Sequence, residues 1–226
     1  MAKHFDTFDS SKIEANLKGM APGSKVIVLV TNGSYAPPHK MHRKTMEAAK
    51  AELERRGEHV VGGFLTPSGD VYVHNKLKGE FISHKDRYEM TRMLVADSDW
   101  LGCLDWDYFD AIDVAAETRR HLAEIFGDKY NFEVVKFYGI NTLHRHPNEV
   151  FDGERTVTYI REGCTLDQLR ELVGEEGMKK VIVAAGGLDD TSSTMIRDAI
   201  HRKDYALIAK LSTPEIAKYL EENHIL

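Results

Sequence analysis

The feature that most constrains this chain is the run Lys25–Thr31, KVIVLVT. It is apolar and β-branched with no alternation, so both of its faces must be covered. That is the pattern of a strand inside a parallel sheet with helices on either side. A turn-rich stretch, Asn32–Pro38, follows, and then Met46, Ala49 and Leu53 recur at helical spacing up to Gly57. The same alternation continues along the chain. Strands are predicted over His59–Leu65, Trp100–Leu104, Phe132–Tyr138, Thr156–Arg161 and Lys180–Ala185. Helices are predicted after the cap Ser83, over Ala111–Phe126, from the cap Thr165 through Val173, over Ser193–Arg202 and from Thr213-Pro-Glu onward. A short leading helix over 11–20 is suggested by the capping-box spacing of Ser11 and Glu14.

Strand–helix alternation of this kind predicts an α/β fold: an open, mostly parallel sheet with helices on both faces and right-handed crossovers. Ligands in such sheets sit beyond the carboxyl ends of the strands, near the switch in strand order. The loops after Thr31, Leu65, Tyr138 and Ala185 are therefore the places to look. The 226 residues show no internal repeat, low-complexity tract or Pro/Ser-rich linker. A single domain over 1–226 is expected, with 1–24 as an N-terminal extension and 191–226 as a C-terminal helical part.

Charge narrows the partners. The formal net charge of −6 disfavours wrapping a nucleic-acid polymer, which needs Lys and Arg to neutralise phosphates. It leaves room for a local basic pocket. No apolar run reaches the ~20 residues of a membrane span, and Met1–Met20 carries charges in place of an apolar block. A cytoplasmic or nuclear location without membrane attachment is expected. Cys103 and Cys164 read as two reduced thiols rather than a disulfide framework.

Two segments concentrate chemistry. The first is Gly33–Lys44, GSYAPPHKMHRK. Gly33 lets backbone come close to a ligand, Pro37 and Pro38 stiffen the loop, and a helix starting near His39 turns its free N–H groups toward the same pocket. His39 and His42 share a helix face, and Lys40, Arg43 and Lys44 add positive charge. The bland alternative is a tight strand–helix connection with surface histidines. Neither GxxxxGK[ST] nor GxGxxG occurs. The second segment is Thr191–Arg197, TSSTMIR. Ser192, Ser193 and Thr194 are N-cap types, and Arg197 could fork onto a phosphate; alone, it would read as an ordinary capped helix with a solvated Arg. Asp97, Asp99, Asp105, Asp107 and Asp110 read as a solvated acidic rim, and His144 with His146 as a solvated loop.

Together, GSYAPPHKMH and SSTMIR resemble the two signatures of the nucleotidylyltransferase superfamily, written GxFxPxHxGH and ISSTxxR. The chain is most similar to the eukaryotic-type nicotinamide/nicotinic acid mononucleotide adenylyltransferases. TPSGDVY with ISHKDRYEM, SDW, Glu117-Thr118, IREG at 160–163 and the tail from Ser192 extend the likeness over about residues 25–226, most weakly between 104 and 160. The resemblance implies a Rossmann-like nucleotidylyltransferase fold. It implies transfer of the adenylyl group of ATP to a pyridine mononucleotide, with Mg²⁺ carried by the ATP phosphates and no metal site of the protein's own. His42, with His39, would hold the ATP phosphates and the pentacoordinate phosphorus. Ser193, Thr194 and Arg197 would hold the β- and γ-phosphates, Lys76 or Lys78 would contact phosphate from above, and the Gly33, Ser34 and Tyr35 backbone would approach the nucleotides. Thr118, Gly139, Asn141 and Arg161 complete the implied nucleotide-binding set. Partners are thus ATP and a pyridine mononucleotide, and a homo-oligomer is compatible with the sequence.

Three positions depart from the family. Gly139-Ile140-Asn141 stands where Gly-Ala-Asp is usual, Ala115 stands where a pocket tryptophan is usual, and the loop Thr142–Arg155 has no tryptophan. Tyr108, Phe109 or His144 would have to substitute, while Trp100 and Trp106 read as core. The departures leave two alternatives open: a different phosphorylated acceptor, or a nucleotide-binding protein with impaired catalysis.

Overall fold

The computed structural model describes residues 8–108, 110–145, 147, 150, 155–160, 165–184 and 189–226, with backbone alone for Asn141 and Arg145. Six strands are present among these residues: β1 Lys25–Gly33, β2 Val60–Pro67, β3 Leu101–Cys103, β4 Asn131–Phe137, β5 Thr156–Tyr159 and β6 Val181–Ala184. They form one sheet in the order β3-β2-β1-β4-β5-β6. Every pairing is parallel, where a mostly parallel sheet was expected. The order reverses direction between β1 and β4, which opens a crevice at their carboxyl ends.

β1 shows why its sequence lacks alternation. Ile27 and Leu29 pack on one face with Met46, Ala49 and Leu53 of helix α2 (Lys40–Arg55). Val26, Val28 and Val30 pack on the other face with Val114, Ala115 and Leu122 of α5 (Ala111–Phe126). Burying each such side chain is worth ~1.5–3 kcal/mol. Trp100 and Trp106 are buried in these two layers, as expected. A third cluster joins the C-terminal helices α8 (Ser193–His201), α9 (Tyr205–Leu211) and α10 (Pro214–Glu222) to α3 (Asp70–Leu77) and α4 (His84–Leu94) through Ile196, Ile208, Leu220, Val73 and Met90. α6 (Ile140–Arg145) and α7 (Leu166–Met178) complete the set.

Caps set the helix boundaries. Ser83, Thr165, Ser192 and Thr213 each accept a hydrogen bond from the third helical N–H, and Asp110 accepts from Ile112 and Asp113. α1 (Ser11–Asn16) differs from the expectation. Its N-cap is Ser10, whose hydroxyl bonds Glu14, so Ser11 and Glu14 form no capping box. Ile13 and Leu17 of this segment are buried in the layer beneath β1 and β2. Three helices, α3, α6 and α9, were not anticipated; each is six to eight residues long. The region around Lys76 and Lys78, expected as a loop, is α3 followed by a 3₁₀ turn at Lys78–Glu80. Among the described residues no helix is long and apolar enough to cross a membrane.

Candidate active site

A cavity of about 250 Å³ lies at the switch point. Its walls come from the end of β1 (Thr31, Asn32, Gly33), Tyr35, the start of α2 (His39, Met41, His42, Thr45), Lys76 of α3, the end of β4 (Phe137, Gly139), α6 (Ile140, Thr142) and Tyr159 of β5. The loops after Thr31 and Tyr138 therefore meet there, while residues 185–188 of the loop after Ala185 lie outside the described residues.

His39 and His42 form the centre. Their rings stack with centroids 3.7 Å apart, and Tyr35 meets His42 edge-on at 4.8 Å. His39 is the N-cap of α2, and its backbone N–H donates to His42 Nδ1 at 3.0 Å. An accepting Nδ1 places the hydrogen of the neutral ring on Nε2, so His42 presents a donor through that atom. The N-terminus of α2 adds its dipole at the same place. Tyr35 is buried, and that burial pushes its phenol pKa up. Its φ of 44° lies in the left-handed region, unusual for a bulky residue.

Gly33 serves Tyr35 as well as the cavity. A Cβ on Gly33 would lie 2.9 Å from the Tyr35 ring, closer than packing allows. Ser34 is tied from two sides: its hydroxyl accepts from Lys76 Nζ at 2.9 Å, and its carbonyl accepts from Arg87 Nη1 at 2.9 Å. Arg87 is fully buried. It also donates to the Ile82 carbonyl (2.9 Å) and to Asp70 (3.0 Å), which joins the β1–α2 loop to both ends of the α3 segment.

The second signature is placed differently from the expectation. Ser193 Oγ donates to the Pro37 carbonyl at 2.8 Å, so α8 buttresses the histidine loop from behind. Arg197 was expected to fork onto a phosphate, but here its donors are engaged. Nη1 reaches the Ala36 carbonyl (3.0 Å), Nη2 the Thr194 hydroxyl (3.1 Å) and Nε the Glu80 carboxylate (2.9 Å). Neither Ser193, Thr194 nor Arg197 lines the cavity.

Other expectations need correction. Thr118 is fully buried in α5 and does not line the cavity; its position one helical turn from Ala115 and Leu122 turns it into the layer under the sheet, and its hydroxyl finds no hydrogen bond among the described residues. Lys78 is absent from the walls and has φ 51° at the C-terminus of α3. The basic cluster disperses: Lys40 pairs with Asp189 at 3.2 Å, Arg43 pairs with Asp97 and Glu47, and Lys44 is exposed. The acidic rim disperses too, since Asp97 holds Arg43, Asp105 faces His84 at 3.3 Å and Asp110 caps α5. Arg161, Phe109, His146 and Cys164 lie outside the described residues, as does the side chain of Asn141. His144 is exposed, Tyr108 packs edge-on against Trp106, and neither is among the residues that line the cavity. Phe137 and Tyr159, stacked at 6.0 Å, supply the aromatic wall. They were missed as site residues, along with Asn32, Met41, Thr45, Ile140 and Thr142. Their signal was position alone: Asn32, Phe137 and Tyr159 stand at strand ends beside the switch, and Met41, Thr45, Ile140 and Thr142 on the first turns of the helices that follow.

The sequence model of the cytidylyltransferase-like family matches residues 30–199. The chain belongs to that family. The match contains His39 and His42 at the start of α2 and Arg197 of α8. Among curated relatives, nicotinamide/nicotinic acid mononucleotide adenylyltransferase 2 of Caenorhabditis elegans is 25% identical over 236 residues, covering 89% of this chain and 98% of that protein. The nicotinamide/nicotinic acid mononucleotide adenylyltransferase of Arabidopsis thaliana is 38% identical over 81 residues, 36% of this chain and 32% of that protein. The nicotinamide-nucleotide adenylyltransferase of Drosophila melanogaster is 34% identical over 82 residues, 20% of its length. The plant and fly matches thus span a third or less of those relatives.

Proposed function

We propose that this chain transfers the adenylyl group of ATP to nicotinamide or nicotinate mononucleotide, forming NAD or deamido-NAD and pyrophosphate. The observation that carries the reading is the stacked His39–His42 pair at the N-terminus of α2, at the β1/β4 switch point. Membership of the family and the near full-length similarity to the nematode protein support it.

In the reaction a mononucleotide phosphate oxygen attacks the α-phosphorus of ATP. A new P–O bond forms as the bond to the β-phosphate oxygen breaks, and pyrophosphate leaves with the electron pair. The attacking oxygen is already ionised, so no general base is needed. Rate then depends on positioning and on stabilising the charge that builds on the in-line transition state. His42 Nε2–H, the first turn of α2 and Lys76 are the donors for that charge, and Phe137 and Tyr159 offer apolar surface to a base. The polar part of the lining, among the described residues, is made of imidazole, amide, hydroxyl and ammonium groups. This donor set suits polyphosphate that brings its own cation. Mg²⁺ held on the phosphates supplies charge neutralisation and orientation of the leaving group.

Purified protein given ATP, Mg²⁺ and either mononucleotide is expected to release pyrophosphate and form the dinucleotide. His42→Ala is expected to lower kcat by about 10²–10³-fold, the range for removing one transition-state donor, and to lower stability by about 0.5–2 kcal/mol through loss of the His42 Nδ1 acceptor for the His39 N–H. Absence of pyrophosphate with both mononucleotides overturns the reading. Turnover confined to another phosphorylated acceptor would redirect it to the same chemistry on a different substrate.

A further inference from the structure

Three successive carbonyls of the histidine loop are held by side chains of the C-terminal helical part. The Ala36 carbonyl accepts from Arg197 Nη1 at 3.0 Å, the Pro37 carbonyl from Ser193 Oγ at 2.8 Å and the Pro38 carbonyl from Ser212 Oγ at 2.9 Å. All three loop residues are buried, and a buried carbonyl needs a donor. Pro37 and Pro38 bring no N–H of their own, so the donors come from another part of the chain.

The three bonds differ in what lies behind them. A peptide unit is planar and joins the carbonyl of one residue to the nitrogen of the next. Behind the Ala36 and Pro37 carbonyls that nitrogen belongs to a proline and carries no hydrogen. Behind the Pro38 carbonyl it is the His39 N–H, which donates to His42 Nδ1 at 3.0 Å. An unbroken chain of hydrogen bonds therefore runs from the Ser212 hydroxyl, through the Pro38–His39 peptide, to the imidazole that lines the cavity. Ser212 stands apart from both signatures. It is the C-cap of α9, 8% exposed, with its own N–H bonded to the Ile208 carbonyl at 2.8 Å, and it does not line the cavity. Ile208 and Leu211 are packed in the third cluster, so the hydroxyl projects from a firmly held element.

We propose that Ser212 is a positioning residue for His42. Its bond fixes the tilt of the Pro38–His39 peptide plane, and with it the direction of the N–H that His42 Nδ1 accepts. It also polarises that amide, which strengthens the next bond in the chain. Both effects hold the His42 ring in the tautomer that carries its hydrogen on Nε2. The consequence for rate rests on the proposed transfer reaction; the consequence for the ring does not.

The test compares the full chain with Ser212→Ala and with Ser212→Cys, which keeps nearly the same volume and is a weaker donor. Heteronuclear NMR of the amide and imidazole nitrogens reads the chain directly. In the wild type His42 is expected with Nδ1 bare and Nε2 protonated. Ser212→Ala is expected to move the His39 amide proton upfield and to raise the share of the other His42 tautomer, with Ser212→Cys in between. Ser193→Ala removes the donor to a carbonyl with no N–H behind it, and is expected to leave the His42 nitrogens unmoved. In pyrophosphate release, kcat of Ser212→Ala is expected to fall by about threefold to tenfold, the scale of one neutral hydrogen bond, with KM for ATP unchanged. Unmoved His39 and His42 signals in both Ser212 variants overturn the assignment. So does a shift in Ser193→Ala as large as that in Ser212→Ala, or a wild-type kcat in Ser212→Ala. Moved signals in a protein that turns over neither mononucleotide would leave Ser212 holding the ring and remove the reaction. Normal wild-type turnover with unmoved signals would do the reverse.

Discussion

Gly33 carries two demands at once. It ends β1 on the cavity wall, and its missing Cβ leaves space for the Tyr35 ring, which in turn rests edge-on against His42. Gly33→Ala would put a methyl group 2.9 Å from that ring. The ring is buried, so it can yield only by pressing on His42. The expected cost is about 1–3 kcal/mol of stability, the range for overpacking, together with a fall in kcat larger than that in ATP affinity. Urea unfolding and pyrophosphate release would check both; wild-type values in each would refute the coupling. The sequence marked Gly33 as a place where backbone comes close to a ligand. It did not reveal that a side chain two residues on needs the space as much as a ligand does. The histidine pair was legible because both residues lie on one short segment. The aromatic wall of Phe137 and Tyr159 was not, because its members belong to different strands and have no shared spacing.

At the scale of elements, the weakly patterned pieces position the site. α3 was read as loop because Asp70–Leu77 lacks an apolar stripe and begins after Gly69, with Val71 69% exposed. What holds it is Arg87, which a sequence reading leaves as one more polar residue on α4. Its partner Ser34 is 53 positions away. Arg87→Met would leave the Ser34 and Ile82 carbonyls without their donor and release Asp70. Each unsatisfied buried group costs ~1–3 kcal/mol, so a loss of about 2–4 kcal/mol is expected, with protease cleavage gained within 70–81. Arg87→Lys cannot restore the three-way fork and should recover little. A variant as stable and as protease-resistant as wild type would show that α3 is held by its apolar contacts alone. By contrast, α2, α5 and α10 were legible, since caps and 3.6-residue periodicity agree along their length.

For the molecule as a whole, the surplus of acid shapes the response to pH. Glu52, bonded to Arg55 and Arg56, has its pKa lowered to about 2, and Asp189, bonded to the Thr191 hydroxyl and N–H and to Lys40, is likewise held at about 2. Their ordinary values are 4.5 and 3.8. The unfolded chain therefore binds more protons in that interval, so the stabilisation is complete above pH 4.5 and disappears as pH falls toward 2. Urea midpoints should hold steady down to the upper limit and decline below it, with a shallower decline in Glu52→Gln; an identical slope in that variant would contradict the assignment. The sequence also predicted that the six basic and imidazole groups of the two signatures would form one pocket. Only His39 and His42 line it, joined by Lys76; the others are held by Asp97, Asp189, Glu47 and Glu80 or stand exposed. Periodicity, caps and local motifs determined the α/β class, the parallel sheet and the loop that carries the histidines, because each depends on neighbours a few residues apart. Which cations face the ligand and which are spent on carboxylates was decided by the tertiary structure, because ion pairs form between elements whose meeting only the folded sheet order brings about.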